Sequence, residues 1–350
     1  MKIKVLVIDD SPAIRGIIAA IVGEQPDMVV VGSAPDPIAA RDLIRALNPD
    51  VLTLDIEMPR MNGLSFLKRL MRARPMPVVM LSSHTQEGSD IAFRALALGA
   101  VDFVAKPCAG VPVDDDYSAS IAAAIRGAHA ARDKIRQLDI VTAVEAEVAL
   151  PALGAGVSAA QRVVVMGAST GGAEALRELL PALPMDVPPV LVALHMSGSF
   201  TRHLARRLDE SCKVKVKEAV DGEPALPGHV YLAPGGRPMS LESHGTRGFG
   251  ISLGESGSGP RPFVDTLFRS TAQAAGAGAI GVILTGMGVD GAEGLRDMRD
   301  RGAFTVAQDE ASCIVFGMPR AALERDAVDS VAPLGQIARL IVNRLSGAAP

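Results

Sequence analysis

Short apolar runs alternate with longer amphipathic segments along the first 137 residues, which predicts β-strands separated by α-helices. The runs are rich in Val, Ile and Leu, as is typical of strands that are buried on both faces. The pattern therefore favours a parallel sheet covered by helices, with right-handed crossovers. The predicted strands are residues 3–8, 28–31, 51–54, 78–81 and 102–105, and the predicted helices are residues 12–24, 37–47, 64–72, 89–98 and 118–137.

The alternation fades over residues 138–160, where an Ala/Gly/Ser-rich composition predicts a semi-flexible connector, and then it resumes. We predict a first domain over residues 1–127, a helix end and linker over 128–160, and a second α/β domain over 161–347. In the second domain we predict strands at 163–166, 189–194, 213–218, 230–233 and 279–284, a hairpin at 239–242 and 249–253, strand or turn segments at 304–308 and 313–316, and helices at 173–180, 199–210, 263–275, 292–301, 318–323 and 334–345.

Composition narrows the class of protein. A length of 350 residues suggests about two domains, and 48% apolar with 3% aromatic residues predicts aliphatic cores. A net charge of −4 argues against nucleic acid as a partner. Neither a signal-peptide pattern nor an uncharged membrane-length run is evident, so we expect a cytoplasmic protein without membrane insertion. Three widely spaced cysteines, Cys108, Cys212 and Cys313, favour free thiols in a reducing compartment.

Polar residues stand at the ends of four predicted strands of the first half. Asp9 and Asp10 end the first strand and Asp55 ends the third, and ligands bind at this edge of open α/β sheets. Carboxylates brought together repel one another unless a cation neutralises them, and oxygen ligands suit Mg²⁺. Ser82 ends the fourth strand and Lys106 follows the fifth, where a hydroxyl and an ammonium can hold phosphoryl oxygens.

This constellation resembles the receiver domain of bacterial two-component response regulators. The resemblance covers about residues 1–127, and residues 54–64 are close to the family signature. It implies a flavodoxin-like (βα)5 fold, phosphorylation of Asp55 and binding of Mg²⁺. It assigns the metal pocket to Asp9, Asp10 and Asp55 and the switch residues to Ser82, Phe103 and Lys106, with Ser83 and Thr85 as neighbouring hydroxyls.

The first candidate functional motif of the second half is a glycine-rich turn. Residues 163–172 read Val-Val-Val-Met-Gly-Ala-Ser-Thr-Gly-Gly, a strand, a tight turn and the start of a helix. Gly167, Ser169 and Gly171 match the Gly-x-Ser-x-Gly pattern that exposes a serine hydroxyl above a parallel sheet. From these residues alone, three interpretations are open: a nucleophile, a structural turn and a phosphate site.

Two later turns bear on the choice. His195 follows the apolar strand at 189–194, and Asp290 follows the one at 279–284. A histidine can take the proton of a serine, and a carboxylate orients the imidazole. A hydrogen-bonded strand-end histidine and a helix-capping aspartate are the structural alternatives. Ser169, His195 and Asp290 would nevertheless meet at one edge of a parallel sheet.

The second half resembles the catalytic domain of the chemotaxis protein-glutamate methylesterases, the CheB family. The resemblance spans about residues 162–345, implies a Rossmann-like doubly wound, mostly parallel α/β fold, and extends to the whole chain, because a receiver precedes this domain in that family. The shared motifs are residues 166–172, 195–196, 233–236, 264–270, 284–291 and 307–319.

The resemblance assigns Ser169 as nucleophile, His195 as base and Asp290 as its orienter, with Thr170 and Met287 lining the substrate and oxyanion site. It implies a hydrolase that demethylates glutamate γ-methyl esters and deamidates glutamines on chemoreceptors. A chemotaxis histidine kinase would be the phosphodonor, phosphorylation of the receiver would give access to Ser169, and the esterase chemistry would need no cofactor.

The sequence departs from the family pattern at Leu194, Pro238, Phe263 and Val289, all outside the three catalytic positions. Two other functions are weighed: a nucleotide- or NAD-binding output domain and a non-catalytic, phosphorylation-switched binding module. The first would use the glycine turn at 167–172, and that turn lacks a Gly-x-Gly-x-x-Gly fingerprint. The second predicts that function survives the loss of the Ser169 hydroxyl.

Overall fold

The computed structural model describes residues 1–58, 61–83, 86–107, 113–137, 153, 161–196, 198–255 and 263–347. The predicted linker, residues 138–160, lies outside the described residues except for Leu153. Described residues up to 137 belong to one compact unit, and those from 161 belong to a second.

The first unit is a parallel sheet in the order β2-β1-β3-β4-β5. Ser11 caps α1 by accepting the Ile14 N–H, and Pro12 occupies the first turn, where no N–H is needed. The strands are β1 (Ile3–Ile8), β2 (Met28–Ala34), β3 (Val51–Asp55), β4 (Val78–Ser82) and β5 (Asp102–Ala105), and the helices are α1 (Pro12–Glu24), α2 (Pro37–Leu47), α3 (Gly63–Ala73), α4 (Gln86–Ala97), α5 (Asp115–Ala130) and α6 (Arg132–Gln137).

The predicted helix over residues 118–137 is wrong in two respects. Its start lies earlier, because Asp114 caps α5 by accepting the Tyr117 N–H at 2.8 Å. It is also divided, because the N–H of Ala131 donates to the carbonyls of Gly127 and His129 in a tightened turn.

The second unit alternates strands and helices and adds a small antiparallel sheet. Its strands are β6 (Val163–Ala168), β7 (Val190–Leu194), β8 (Lys215–Glu218), β9 (Pro224–Ala225), β10 (His229–Leu232), β11 (Met239–Ser243), β12 (Phe249–Leu253), β13 (Ala279–Ile283), β14 (Phe304–Gln308) and β15 (Ser330–Ala332), and its helices are α7 (Gly172–Leu179), α8 (Gly198–Ser211), α9 (Phe263–Ala275), α10 (Ala292–Asp300), α11 (Met318–Glu324) and α12 (Leu334–Ser346).

The main sheet of the second unit has seven described strands, all parallel, in the order β15-β14-β13-β6-β7-β10-β8. β8 lies at one edge, as its alternation of charged and apolar residues predicts. β11 and β12 form the predicted hairpin, to which β9 adds. The α/β class predicted for both halves is confirmed.

The core of the second unit is mainly aliphatic, as the composition predicts, although its largest fully buried side chains are Tyr231, Phe200 and Phe268. Val165 on β6 and Leu191 on β7 are fully or almost fully buried together with Phe268 on α9 and Leu295 on α10. These two helices therefore pack onto the sheet and begin near its carboxyl edge. Cys212 and Cys313 are free thiols, whereas Cys108 lies outside the described residues. No helix in the described part of the chain has both the length and the hydropathy to cross a bilayer.

Candidate active site and carboxylate cluster

Three neighbouring strands of the second unit end at one edge of the sheet. β6 lies between β13 and β7, with Gly167 opposite Ile283 and Ala168 opposite Leu194. Ser169 directly follows β6, His195 directly follows β7, and Asp290 lies in the turn between β13 and α10. The carboxyl ends of parallel strands meet at one edge, so the fold brings all three turns there.

The imidazole of His195 and the carboxylate of Asp290 form a direct pair. His195 Nε2 is 2.7 Å from Asp290 Oδ2, and both side chains are partly buried. With Asp290 ionised, His195 Nε2 is protonated and donates a hydrogen bond to the carboxylate. Nδ1 is then the ring nitrogen that can accept a proton. No hydrogen bond joins Ser169 Oγ to His195 within the described chain, and such bonds often tighten only when substrate is bound.

Asp290 is held by more than His195. Its Oδ2 accepts the N–H of Val264 at 3.0 Å, and its Oδ1 accepts that of Asp265 at 2.9 Å. Burial alone would raise the pKa of this carboxyl. The hydrogen bond and charge of His195 and the two backbone donors outweigh burial and hold the pKa of Asp290 below its ordinary value.

The turn that carries Ser169 requires glycine at two nearby positions, one within the turn and one in the loop that follows β13. Gly171 has φ of +80° and lies just before α7. Gly286 approaches the turn so closely that a Cβ there would lie 2.8 Å from Ser169 Cβ. The Ser169 N–H donates to the Thr285 carbonyl at 3.0 Å, which fixes the height of the half-buried serine above the sheet.

Thr285 is a site residue that sequence reasoning missed. Its Oγ1 donates to the Thr170 carbonyl at 3.0 Å and accepts the Val315 N–H at 3.0 Å, so one buried hydroxyl ties the serine turn to residues 309–317. Gln308 Oε1 accepts the Thr285 N–H at 2.8 Å. The motif at 284–291 contained Thr285, but a threonine after an apolar strand has no distinctive signal of its own.

We expect Thr285→Val to lower the free energy of unfolding by about 1–3 kcal/mol, because it leaves a buried carbonyl and a buried N–H without a partner. Ester hydrolysis should fall as well, since the serine turn loses this tie. Chemical unfolding and steady-state kinetics on the full chain measure both effects. Thr285→Ser keeps the hydroxyl and is the control. Equal stability of the Val and Ser variants would contradict this role.

The remaining candidate residues lie around the same edge. Thr170 is almost fully buried and Met287 is half-buried. The backbone N–H groups of Thr170 and Met287 donate to no backbone carbonyl in the described part of the protein. The ring of Phe263 meets the imidazole of His195 edge to face at 6.1 Å between centroids, and Val289 is 58% exposed beside Asp290.

In the first unit, the polar strand ends form a carboxylate cluster. Ligand oxygens of Asp9, Asp10 and Asp55 lie within 4.8 Å of one another. Asp9 and Asp55 are buried, and Asp10 is exposed. Lys106 Nζ lies 2.7 Å from Asp55 Oδ1 and 3.0 Å from Asp9 Oδ2. The three carboxylates and the ammonium that the sequence predicts at this edge therefore do meet.

The cluster fits a divalent cation. Asp55 Oδ2 is buried and accepts no hydrogen bond among the described residues, which leaves a strong acceptor for a hard ion such as Mg²⁺. Burial raises the pKa of Asp55 to about 6, and the charge of Asp9 adds to this effect despite the opposing hydrogen bond from Lys106. Burial would lower the pKa of Lys106, but its two carboxylate partners raise it above the ordinary value.

Ser82 and Phe103 lie on the paired strands β4 and β5, where Ser82 is opposite Ala105 and Phe103 is opposite Met80. Ser82 ends β4 and is fully buried, and Phe103 on β5 is 7% exposed. The Phe103 ring packs edge to face on Phe93 of α4, with centroids 5.3 Å apart. Thr85, the third hydroxyl weighed from the sequence, lies outside the described residues.

Two family models match the chain: CheB methylesterase over residues 164–341 and response regulator receiver domain over residues 5–112. A protein-glutamate methylesterase/protein-glutamine glutaminase of Bordetella pertussis is 53% identical over 98% of this chain and 97% of its own length. One of the same name from Paraburkholderia xenovorans is 52% identical over 99% and 97%. The crystal structure of the Thermotoga maritima CheB methylesterase catalytic domain covers 52% of this chain and 98% of its own, with 38% identity and a TM-score of 0.50.

Proposed function

The chain belongs to the CheB methylesterase family and carries a response regulator receiver domain, and on that premise we propose that it is a receiver-controlled serine hydrolase. Its substrates are glutamate γ-methyl esters, and certain glutamine side chains, on the cytoplasmic domains of methyl-accepting chemoreceptors. The receiver corresponds to residues 1–127 and the catalytic domain to residues 161–347, and the protein acts in the cytoplasm.

The observation that carries this proposal is the His195–Asp290 pair, 2.7 Å apart, at the sheet edge where the Ser169 turn ends β6. An ionised Asp290 fixes the tautomer in which His195 Nδ1 is unprotonated. A structural turn would not need an oriented base beside it. A nucleotide site would not need a histidine paired to a partly buried carboxylate.

In the first half of the reaction, Ser169 Oγ attacks the γ-carbonyl carbon and its proton passes to His195 Nδ1. The N–H groups of Thr170 and Met287 stabilise the negative charge that develops on the carbonyl oxygen. The carbon–oxygen bond to the methoxy group then breaks, and His195 returns the proton, so that methanol leaves. With a glutamine side chain the leaving group is ammonia.

In the second half, water attacks the resulting glutamyl ester of Ser169. His195 takes a proton from the water, and the carbon–oxygen bond to Ser169 breaks. The proton then returns to Ser169 Oγ, and glutamate is released. Asp290 offsets the positive charge that His195 carries in each half and does not itself become protonated.

The carboxylate cluster of the receiver and the lysine paired with it support regulation by phosphorylation. Asp55 is the proposed phosphoacceptor, Asp9, Asp10 and Asp55 are the residues that would hold Mg²⁺, and the cation would neutralise charge on the phosphoryl group. Lys106, 2.7 Å from Asp55, would bind the phosphoryl oxygens. Ser82 and Phe103 would respond to them as switch residues, and a chemotaxis histidine kinase is the proposed phosphodonor.

The proposal is tested by incubating the full chain with methylated receptor membranes and following methanol, and with receptor peptides containing unmodified glutamines and following ammonia. We expect methanol from the esters and a smaller amount of ammonia from the amides. Folded protein that binds receptor but releases neither product would support the non-catalytic binding module instead. A dinucleotide-dependent rise in unfolding temperature without hydrolysis would support the nucleotide-binding function.

Asp55→Asn should remove the response to a small phosphodonor while leaving basal hydrolysis in place. With acetyl phosphate and Mg²⁺, we expect wild-type methanol release to rise about tenfold or more, because phosphorylation shifts the receiver between two states. The matched control is Asp42→Asn, which changes an exposed carboxylate of α2 and should respond as wild type does. A phosphodonor response that persists in Asp55→Asn would show that another residue is the acceptor.

A further inference from the structure

Next to the His195–Asp290 pair lies another carboxylate, which is buried. Asp265 stands in the first turn of α9 and is only 7% exposed. Among the described residues, its side chain makes no hydrogen bond to His195 or Ser169, and it takes no part in the proposed reaction steps. A carboxylate is costly to bury, so its contacts should explain its place.

Asp265 and Asp290 cap each other's helices. Asp290, just before α10, accepts the N–H groups of Val264 and Asp265 in the first turn of α9, at 3.0 and 2.9 Å. In return, Asp265 Oδ1 accepts the N–H of Gly294, in the first turn of α10, at 2.7 Å. First-turn N–H groups have no partner within their own helix, so each carboxylate satisfies donors of the other's helix.

The Gly294 contact is close because the two helices approach closely there. A Cβ at Gly294 would lie 2.9 Å from the Asp265 carbonyl oxygen. Arg269, one turn further along α9, places its Nη2 3.9 Å from Asp265 Oδ2. Burial raises the pKa of Asp265 above its ordinary value, and the charge of Asp290 adds to this effect despite the opposing hydrogen bond from the Gly294 N–H.

This arrangement links the start of α9 to the geometry of the catalytic base. Both carboxylate oxygens of Asp290 are bonded to α9, and one of them also accepts from His195 Nε2. The position of α9 therefore sets where Asp290 presents Oδ2. The same turn of α9 carries Phe263, whose ring packs against the His195 imidazole.

We propose that Asp265 is a positioning residue for the hydrolysis: by capping α10 it holds the first turn of α9, and through it Asp290, in the place that orients His195. The inference rests on the proposed function of Asp290. It assigns Asp265 no contact with substrate, so its loss should lower kcat and leave KM nearly unchanged.

The test compares Asp265→Ala and Asp265→Asn in the full chain, with methylated receptor membranes as substrate. We expect Asp265→Ala to lower kcat by about 10- to 100-fold, because small misplacements of a catalytic group have effects of that size. KM should stay within about twofold. Asp265→Asn keeps an oxygen that can accept the Gly294 N–H and should recover most of kcat.

Asp297→Ala is the matched control. Asp297 also joins α10 to α9, through Arg269 at 3.2 Å, but at the surface and away from the catalytic pair. It should leave kcat within about twofold of wild type. A loss of kcat in Asp297→Ala as large as that in Asp265→Ala would overturn the proposal, since any weakening of the helix contact would then suffice.

A double-mutant cycle separates an effect through Asp290 from a general loss of packing. In an Asp290→Ala background, Asp265→Ala should lower kcat by no more than about twofold further. A full multiplicative loss would overturn the proposal, and so would wild-type kcat in Asp265→Ala. If Asp265→Ala does not fold, Asp265→Ser takes its place in the cycle with the same criteria. Wild-type kcat in Asp290→Ala alone would instead overturn the proposed triad.

Discussion

Ser169→Ala is expected to lower the rate of methyl ester hydrolysis by about three orders of magnitude or more, equivalent to about 4 kcal/mol of transition-state stabilisation. The replacement removes the atom that forms the bond to the γ-carbonyl carbon, in the turn at the sheet edge that also carries the His195–Asp290 pair. Receptor binding should persist, since only one oxygen is lost. Methanol release and a receptor pull-down measure the two effects.

The control for this change is Ser252→Ala, which removes a partly buried hydroxyl on β12, outside the catalytic edge. It should retain wild-type activity. The unfolding temperature of Ser169→Ala should lie close to that of wild type, because Ser169 holds the turn through its backbone groups. Hydrolysis by folded Ser169→Ala at more than about a tenth of the wild-type rate would exclude Ser169 as the nucleophile.

Asp290→Ala is expected to lower kcat by about 10⁴-fold, the size of the loss seen when the carboxylate of such a triad is replaced. Without Asp290, His195 loses the 2.7 Å partner that sets its tautomer and offsets its charge. Asp290→Asn should be nearly as inactive, because a neutral amide does not hold the imidazole in the same protonation state. Steady-state methanol release measures kcat, and activity of Asp290→Asn near that of wild type would contradict this role.

The same residue should contribute to stability in a pH-dependent way. Its pKa is lowered in the folded protein from an ordinary value of 3.8, so the native state favours the ionised form. The contribution is therefore fully present above about pH 4 and is lost as pH falls through the lowered pKa of the folded state. Asp290→Asn should thus be less stable than wild type at pH 7, and the difference should shrink on acidification. A difference that grows on acidification would show that the pKa is raised instead.

The α/β class and the edge that carries the chemistry follow from the sequence because strand hydrophobicity and strand-end polarity are local features. Asp55, Lys106, His195 and Asp290 could be chosen from their place after apolar runs, since carboxyl ends of parallel strands share an edge. The structure then brings Lys106 to 2.7 Å from Asp55 and His195 to 2.7 Å from Asp290.

Residues that act through distant backbone groups had no comparable signal. Asp265 accepts the N–H of Gly294, 29 positions away in the chain. The Thr285 hydroxyl donates to the carbonyl of Thr170, 115 positions away. Such contacts depend on how α9 and α10 pack and on how residues 309–317 return to the sheet. No spacing in a single sequence encodes them.

Phe263 is an intermediate case. In the sequence, Phe263 stands out only as a departure from the family pattern. The structure places its ring 6.1 Å from the His195 imidazole, which a smaller residue at this position could not reach.

The segment at 313–316, interpreted as strand or turn, is a turn with one isolated bridge between Gly286 and Phe316. The Thr285 hydroxyl and the Gly286 N–H take the backbone groups of Val315 that a strand partner would need.

The roles of Ser169 and Asp55 are tested together by methanol release from methylated receptor membranes. Release is measured for wild type, Ser169→Ala and Asp55→Asn, each with and without acetyl phosphate and Mg²⁺. We expect basal release from wild type and Asp55→Asn, a rise with phosphodonor in wild type alone, and no release from Ser169→Ala under either condition. Methanol release from Ser169→Ala that depends on the phosphodonor would contradict a receiver-controlled hydrolase that uses Ser169. Folded wild-type protein that releases no methanol would contradict it as well.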